Sequence, residues 1–145
     1  MVWPFEAPDH MDEHMSKTKK GVYQLTVTDD FAAAHSLRNY GGACENLHGH
    51  NFAVEVSVRG EKLDPDVEIL MDFKVLKGKL KEVLATLDHV CLNETPFFQE
   101  NNPSSENLAR YIFHELKTLL HDAPATLYSV AVSEKASSKA MYFEE

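Results

Sequence analysis

The sequence predicts an α+β domain: a four-stranded antiparallel sheet carrying two helices on one face, in the order ββααββ. Three observations lead there. Stretches of strict apolar/polar alternation stand near both ends of the chain, and between them lie two longer stretches whose apolar residues recur at helical spacing. A chain of 145 residues with 43% hydrophobic content suits one compact unit built on one core.

Residues 1–20 are polar, mix proline with charges and show no period; they are expected to form a mobile extension, leaving the domain to residues 21–145. His10 and His14 share helical i, i+4 spacing, but their surroundings suit a solvated tail better than a ligand pair. Tyr23, Leu25 and Val27 alternate with Gln24, Thr26 and Thr28, giving a first strand that runs toward Phe31 and His35. A loop with Asn39, Gly41 and Gly42 follows. Phe52, Val54, Val56 and Val58 share one face of a second strand and Glu55, Ser57 and Arg59 the other, ending near Gly60. Asp72 is placed to cap a helix with the stripe Phe73, Leu76, Leu80, Val83, Leu84, Leu87, stopping at about Leu87. The segment ETPFFQENNP reads as a loop. Ser104 then caps a second helix, with the stripe Leu108, Tyr111, Ile112, Leu116, Leu119, Leu120, which Pro124 closes off. Tyr128, Val130, Val132 and Glu134 alternate with Ser129, Ala131 and Ser133 in a third strand, and Lys139 to Phe143 makes a short fourth. No internal repeat signals a solenoid.

With 14 Lys+Arg against 23 Asp+Glu, the formal net charge is −9, which disfavours nonspecific attraction to nucleic acid or anionic membranes. The chain has no apolar run long enough to span a bilayer, and its start lacks the apolar core of a secretory signal, so the expectation is a soluble, cytoplasmic protein. In that setting Cys44 and Cys91 are expected to be free thiols.

The chemistry concentrates in CENLHGH, Cys44 to His50. If the second strand begins as early as His48, His48 and His50 point to one side, and two imidazoles on one face can share a metal ion. Catalytic zinc commonly takes three protein ligands and keeps an open position, and His35 at the end of the preceding strand is the natural third. Gly49 between them would permit close packing or a bulge. Against this stands the reading that the three histidines are surface or hydrogen-bonded residues; on spacing alone both remain open. Cys44, in a polar glycine-containing loop, suits a reactive thiol near a metal or a protonated histidine, the alternative being a small buried residue, which Cys91 fits better. Asp88 beside His89 could fix the imidazole's tautomer, although adjacent residues need not touch. Glu134 continues an apolar face, where a carboxylate needs donors that a ligand could supply; otherwise the strand ends at Ser133 and Glu134 is solvated.

Taken together, FAAAH (Phe31 to His35), CENLHGHNF (Cys44 to Phe52), MDF (Met71 to Phe73), LDHVCLN (Leu87 to Asn93), NPSSENLA (Asn102 to Ala109) and VSEKASSKAMY (Val132 to Tyr142) resemble the 6-pyruvoyl-tetrahydropterin synthase and 6-carboxy-tetrahydropterin synthase family. The resemblance runs in order from about Val22 to Phe143. It implies a tunnelling fold (T-fold) assembled into trimers and then a homohexamer, a dimer of trimers around a barrel, with active sites at subunit interfaces. His35, His48 and His50 match the zinc ligands, Cys44 the catalytic thiol, Asp88 and His89 the proton-transfer pair, and Glu134 the pterin anchor. Glu45 and Glu106 join Glu134 in the implied substrate-binding set. The substrate implied is a pterin triphosphate, for whose phosphates Arg38, Lys135 and Lys139 are the candidate cations.

Three residues separate Cys44 from His48, which looks like the bacterial 6-carboxy-tetrahydropterin synthases of queuosine precursor synthesis; the longer spacing of animal 6-pyruvoyl enzymes is absent. Glu45 is a departure. It stands where members lacking the cysteine carry a glutamate and release 6-hydroxymethyl-dihydropterin for folate synthesis, so the chain holds both residues.

Overall fold

The computed structural model describes residues 19–42 and 45–145; the extension up to residue 18, with His10 and His14, and the loop position Cys44 lie outside the described residues. The elements are β1 (Tyr23–His35), β2 (His48–Gly60), α1 (Phe73–Leu84), α2 (Pro96–Glu100), α3 (Ser105–Leu119), β3 (Thr126–Lys135) and β4 (Ser138–Tyr142). The strands form one antiparallel sheet in the order β1-β2-β3-β4.

β1 and β2 pair without interruption from Tyr23↔Gly60 to His35↔His48. That register puts Val27, Phe31, Ala33 and His35 on the same face as His48, His50, Phe52, Val54, Val56 and Val58, and the helices cover it: α1 against β1, α3 against β3 and β4. Phe52, Val54, Val56, Leu76, Leu80, Leu108, Ile112, Leu116, Val130 and Val132 are fully enclosed. Both helices begin as the caps require, Asp72 accepting from the Lys74 amide at 2.8 Å and Ser104 from the Asn107 amide at 3.2 Å.

The other face of the sheet is bare and polar. Thr26 and Ser57 exchange a hydrogen bond at 2.8 Å across it, Arg59 donates to Gln24, and Lys139 pairs with Glu55 at 3.0 Å.

Four details differ from the sequence reading. The α1 helix ends at Leu84, and Leu87 reaches the core from the turn that follows, where the amide of Leu87 bonds to Leu84. The expected loop contains α2, a single short helix started by Pro96 whose Phe98 is fully buried. Tyr128 does not share a face with Val130: the register shifts between Ser57 and Val58, Leu127 turns inward in its place, and the Arg59 guanidinium lies 3.5 Å from the centre of the Tyr128 ring. Gly49 marks no bulge, and a Cβ there would meet only ordinary contact, 3.8 Å from the Ala33 carbonyl oxygen.

Candidate metal centre and adjoining cavity

The i, i+2 relation of His48 and His50 holds, because β2 does begin at His48, and the register delivers His35 opposite His48. One donor atom from each of His35, His48 and His50 lies within 4.8 Å of the other two, so these three histidines could hold a metal ion. The rings meet edge to face, with centroids 4.7 to 5.2 Å apart. Phe52 supports them from below, its ring 5.2 Å from that of His35 and 5.6 Å from that of His50.

Backbone carbonyls orient two of the three. The Nδ1 of His35 lies 2.7 Å from the Pro103 oxygen and that of His48 lies 2.6 Å from the Asn46 oxygen. A carbonyl only accepts, so each Nδ1 carries the proton and each Nε2 presents a lone pair, the arrangement that metal-binding histidines share. The Nε2 atoms of His35 and His50 are buried without a hydrogen-bond partner. Such orphaned polar atoms call for a missing partner, and an ion satisfies both. Burial also holds the pKa of His35 below its ordinary value, which keeps the imidazole neutral as a ligand must be.

The segment leaving His35 is fixed by two asparagines, each acting as a substitute strand neighbour. Asn93 accepts from the Ser36 amide and donates to the Ser36 carbonyl, both at 2.9 Å. Asn102 does the same for Arg38, at 3.0 and 2.8 Å, and its own carbonyl accepts from Asn107. Motifs containing these residues were visible in the sequence, but no alternation or charge pattern signalled their positioning role.

Glu134 stands beside the cluster, its two carboxylate oxygens 3.4 Å from the Nε2 of His35 and 3.5 Å from that of His50. It keeps the covered face of Val130 and Val132, as the alternation implied, and its side chain is half-buried rather than solvated. It also lines a cavity of about 540 Å³ with Glu106, Tyr40, Ser104, Ser138 and Lys139. Glu45 is exposed at the end of the loop that precedes His48, its amide bonded to the Gly42 carbonyl. Of the three candidate cations for the phosphates, Lys139 lines the cavity but its ammonium pairs with Glu55 on the bare face at 3.0 Å, Lys135 is exposed at the strand end, and Arg38 is committed to the Phe98 carbonyl at 2.6 Å.

Asp88 and His89 do touch: one Asp88 oxygen is 2.8 Å from the His89 Nδ1, and the other accepts the Ala32 amide at 2.9 Å. These bonds hold the Asp88 carboxyl below the usual range, the Ala32 amide contributing most. The His89 amide bonds to the Ala32 carbonyl and that of Ala34 to the Val90 carbonyl, so residues 88–91 run along the free edge of β1, with Cys91 bridged to Ala34. His89 has φ of 59°, in the left-handed region. Its ring is 81% exposed and borders a depression whose lining includes Ala32, Ala34, Gly49 and Asn51. Those four alternate with Ala33, His35, His48 and His50, so the dyad lies toward the bare face and the histidine cluster on the covered one, with Ala33 and His50 also lining the depression.

The comparisons agree with this architecture. A family model described as 6-pyruvoyl tetrahydropterin synthase matches residues 24–145. The chain is 38% identical over 117 residues to a 6-carboxy-5,6,7,8-tetrahydropterin synthase of Synechocystis, covering 78% of this chain and 87% of that one. It is 34% identical over 133 residues to a 6-pyruvoyl tetrahydrobiopterin synthase of Poecilia reticulata, covering 81% and 88%. The solved structure of Caenorhabditis elegans 6-pyruvoyl tetrahydropterin synthase superposes with a TM-score of 0.78 at 32% identity, over 87% of this chain and 98% of that one. The sheet order, the three converging histidines and these likenesses together establish that the chain belongs to the 6-pyruvoyl tetrahydropterin synthase family, whose tunnelling fold it adopts.

Proposed function

We propose that this enzyme is a zinc-dependent 6-carboxy-5,6,7,8-tetrahydropterin synthase, converting 7,8-dihydroneopterin triphosphate to 6-carboxy-tetrahydropterin, acetaldehyde and triphosphate in queuosine biosynthesis. The observation that carries the reading is the orphaned, buried Nε2 pair of His35 and His50 opening beside a cavity that presents two carboxylates, Glu106 and Glu134. A pterin ring offers amide-like and amino N–H donors along one edge, and carboxylates that only accept suit that edge.

Bound zinc would supply Lewis acidity toward the substrate's side-chain hydroxyls, held by His35, His48 and His50. Cys44, as thiolate, takes a side-chain proton, and His89, its tautomer set by Asp88, moves the others. Because the dyad of one chain serves the face opposite its own histidine cluster, the His89 that acts on a given cluster comes from a neighbouring copy. This supports the homohexamer, a dimer of trimers. No helix among the described residues is long and apolar enough to cross a membrane, which accords with the proposed cytoplasmic location.

A second reading has its own support, since relatives of comparable identity carry the 6-pyruvoyl name and Glu45 stands exposed before His48. In it, the chain releases the 6-pyruvoyl product, or 6-hydroxymethyl-dihydropterin through Glu45. Anaerobic incubation of zinc-loaded protein with 7,8-dihydroneopterin triphosphate, with products identified by mass, separates these. A 6-carboxy-tetrahydropterin peak is expected; either other pterin as the main product overturns the first reading.

A further inference from the structure

Glu134 stands in two places at once, on the wall of the cavity and against the histidine cluster, and its second position calls for a cation. The His35 Nδ1 donates to the Pro103 oxygen, so its Nε2 offers a lone pair, and the atom it faces at 3.4 Å is a carboxylate oxygen, which also offers only lone pairs. His50 faces the other oxygen at 3.5 Å with a buried, unpartnered Nε2. These pairs lack a hydrogen bond, yet they have the spacing of two donors on one ion. Donors that share an ion at bond lengths of ~2.0–2.2 Å stand roughly 3–3.5 Å apart. Glu134 approaches from the His35 and His50 side, one carboxylate oxygen toward each.

From this geometry we infer that Glu134 is a fourth metal ligand in the substrate-free enzyme, closing the coordination sphere until substrate takes its place. The inference rests on the reading of His35, His48 and His50 as the metal site. It gives the carboxylate two successive partners: the metal while the cavity is empty, and the N–H edge of the bound ring once substrate hydroxyls occupy the vacated position. The side chain is 27% exposed, half-covered by the cluster and open toward the cavity, which leaves it room to turn.

The test uses the full chain loaded with Co²⁺, whose visible absorption reports ligand number and type, and compares wild type with Glu134→Gln and Glu134→Ala. Far-ultraviolet circular dichroism establishes that each variant is folded, and a chelator competition gives its affinity. The expected result is a change in the position and intensity of the visible bands in both variants. Affinity should fall by at least the ~10–100-fold that loss of an outer-shell partner brings. Folded variants with wild-type bands and wild-type affinity overturn the inference while leaving the three-histidine site intact. Failure of the wild type to take up Co²⁺ overturns both.

Discussion

The Nδ1 of His35 and the carbonyl oxygen of Pro103 lie 2.7 Å apart across the interior of the protein. They join the end of β1 to the residue before the Ser104 cap of α3, so the start of that helix and the tautomer of a candidate metal ligand are set together. In metal-free protein, long-range nitrogen–proton correlation spectra at neutral pH should show His35 as the Nδ1–H tautomer. Finding the proton on Nε2 would contradict the assigned ligand atom.

The two asparagine clamps should matter for metal binding as well as for folding. Replacing Asn93 or Asn102 with alanine strips partners from two part-buried backbone groups, at a cost of about 1–3 kcal/mol for each group left unsatisfied. Urea unfolding of each variant measures this. Asn93→Ala should also weaken metal affinity, because Ser36 adjoins His35; Asn93→Asp keeps the acceptor for the Ser36 amide and should fall between. Unchanged affinity in a folded Asn93→Ala protein would show that the clamp does not position the ligand.

Phe52 ties the candidate metal centre to the core. It is fully buried, stacks on Phe31 at 5.0 Å and supports the rings of His35 and His50. Phe52→Ala should cost about 3–5 kcal/mol, read by denaturant unfolding of the metal-free protein. Phe52→Leu should cost less and retain more metal; equal losses in both would argue against the ring's supporting role.

For Asp88 the sign of the pH effect follows from its lowered pKa. The folded state favours the carboxylate more than the unfolded state does. The stabilisation is therefore present above the ordinary aspartate value of about 3.9 and lost as pH falls through the lower folded value. Melting temperatures of wild type and Asp88→Asn, measured in acid, should converge as pH drops below about 4. A gap that persists to the lowest pH would mean the carboxylate form is not what the native state selects.

Cys44→Ala should lower turnover by ~10²–10⁴-fold, the usual contribution of a positioned base, while metal content stays at the wild-type level. Normal turnover would remove Cys44 from the proposed mechanism.

Much of this was legible in the sequence because the informative patterns are local. Phe52, Val54, Val56 and Val58 announce a strand by parity alone, and extending that parity back to His48 and His50 aligns two candidate ligands. What escaped depends on breaks in parity. The extra residue at Tyr128 turns that ring to the bare face and Leu127 inward, whereas Val130, Val132 and Glu134 keep the face their alternation gave them. A five-residue helix such as α2 is too short to display a stripe, so its proline and buried Phe98 read as loop. Contacts such as Asn102 with Arg38 join residues 64 apart and leave no periodic trace.

The left-handed backbone of His89 limits which residues that position can sample. Glycine, asparagine and aspartate accept such a conformation readily, whereas β-branched side chains do so at real cost. In a saturation library sorted for folded protein and not for activity, position 89 should therefore retain glycine and asparagine and lose valine and isoleucine. A lineage that gave up the imidazole's proposed chemistry would drift through that same narrow set, so glycine or asparagine there would mark a change of chemistry that left the fold untouched.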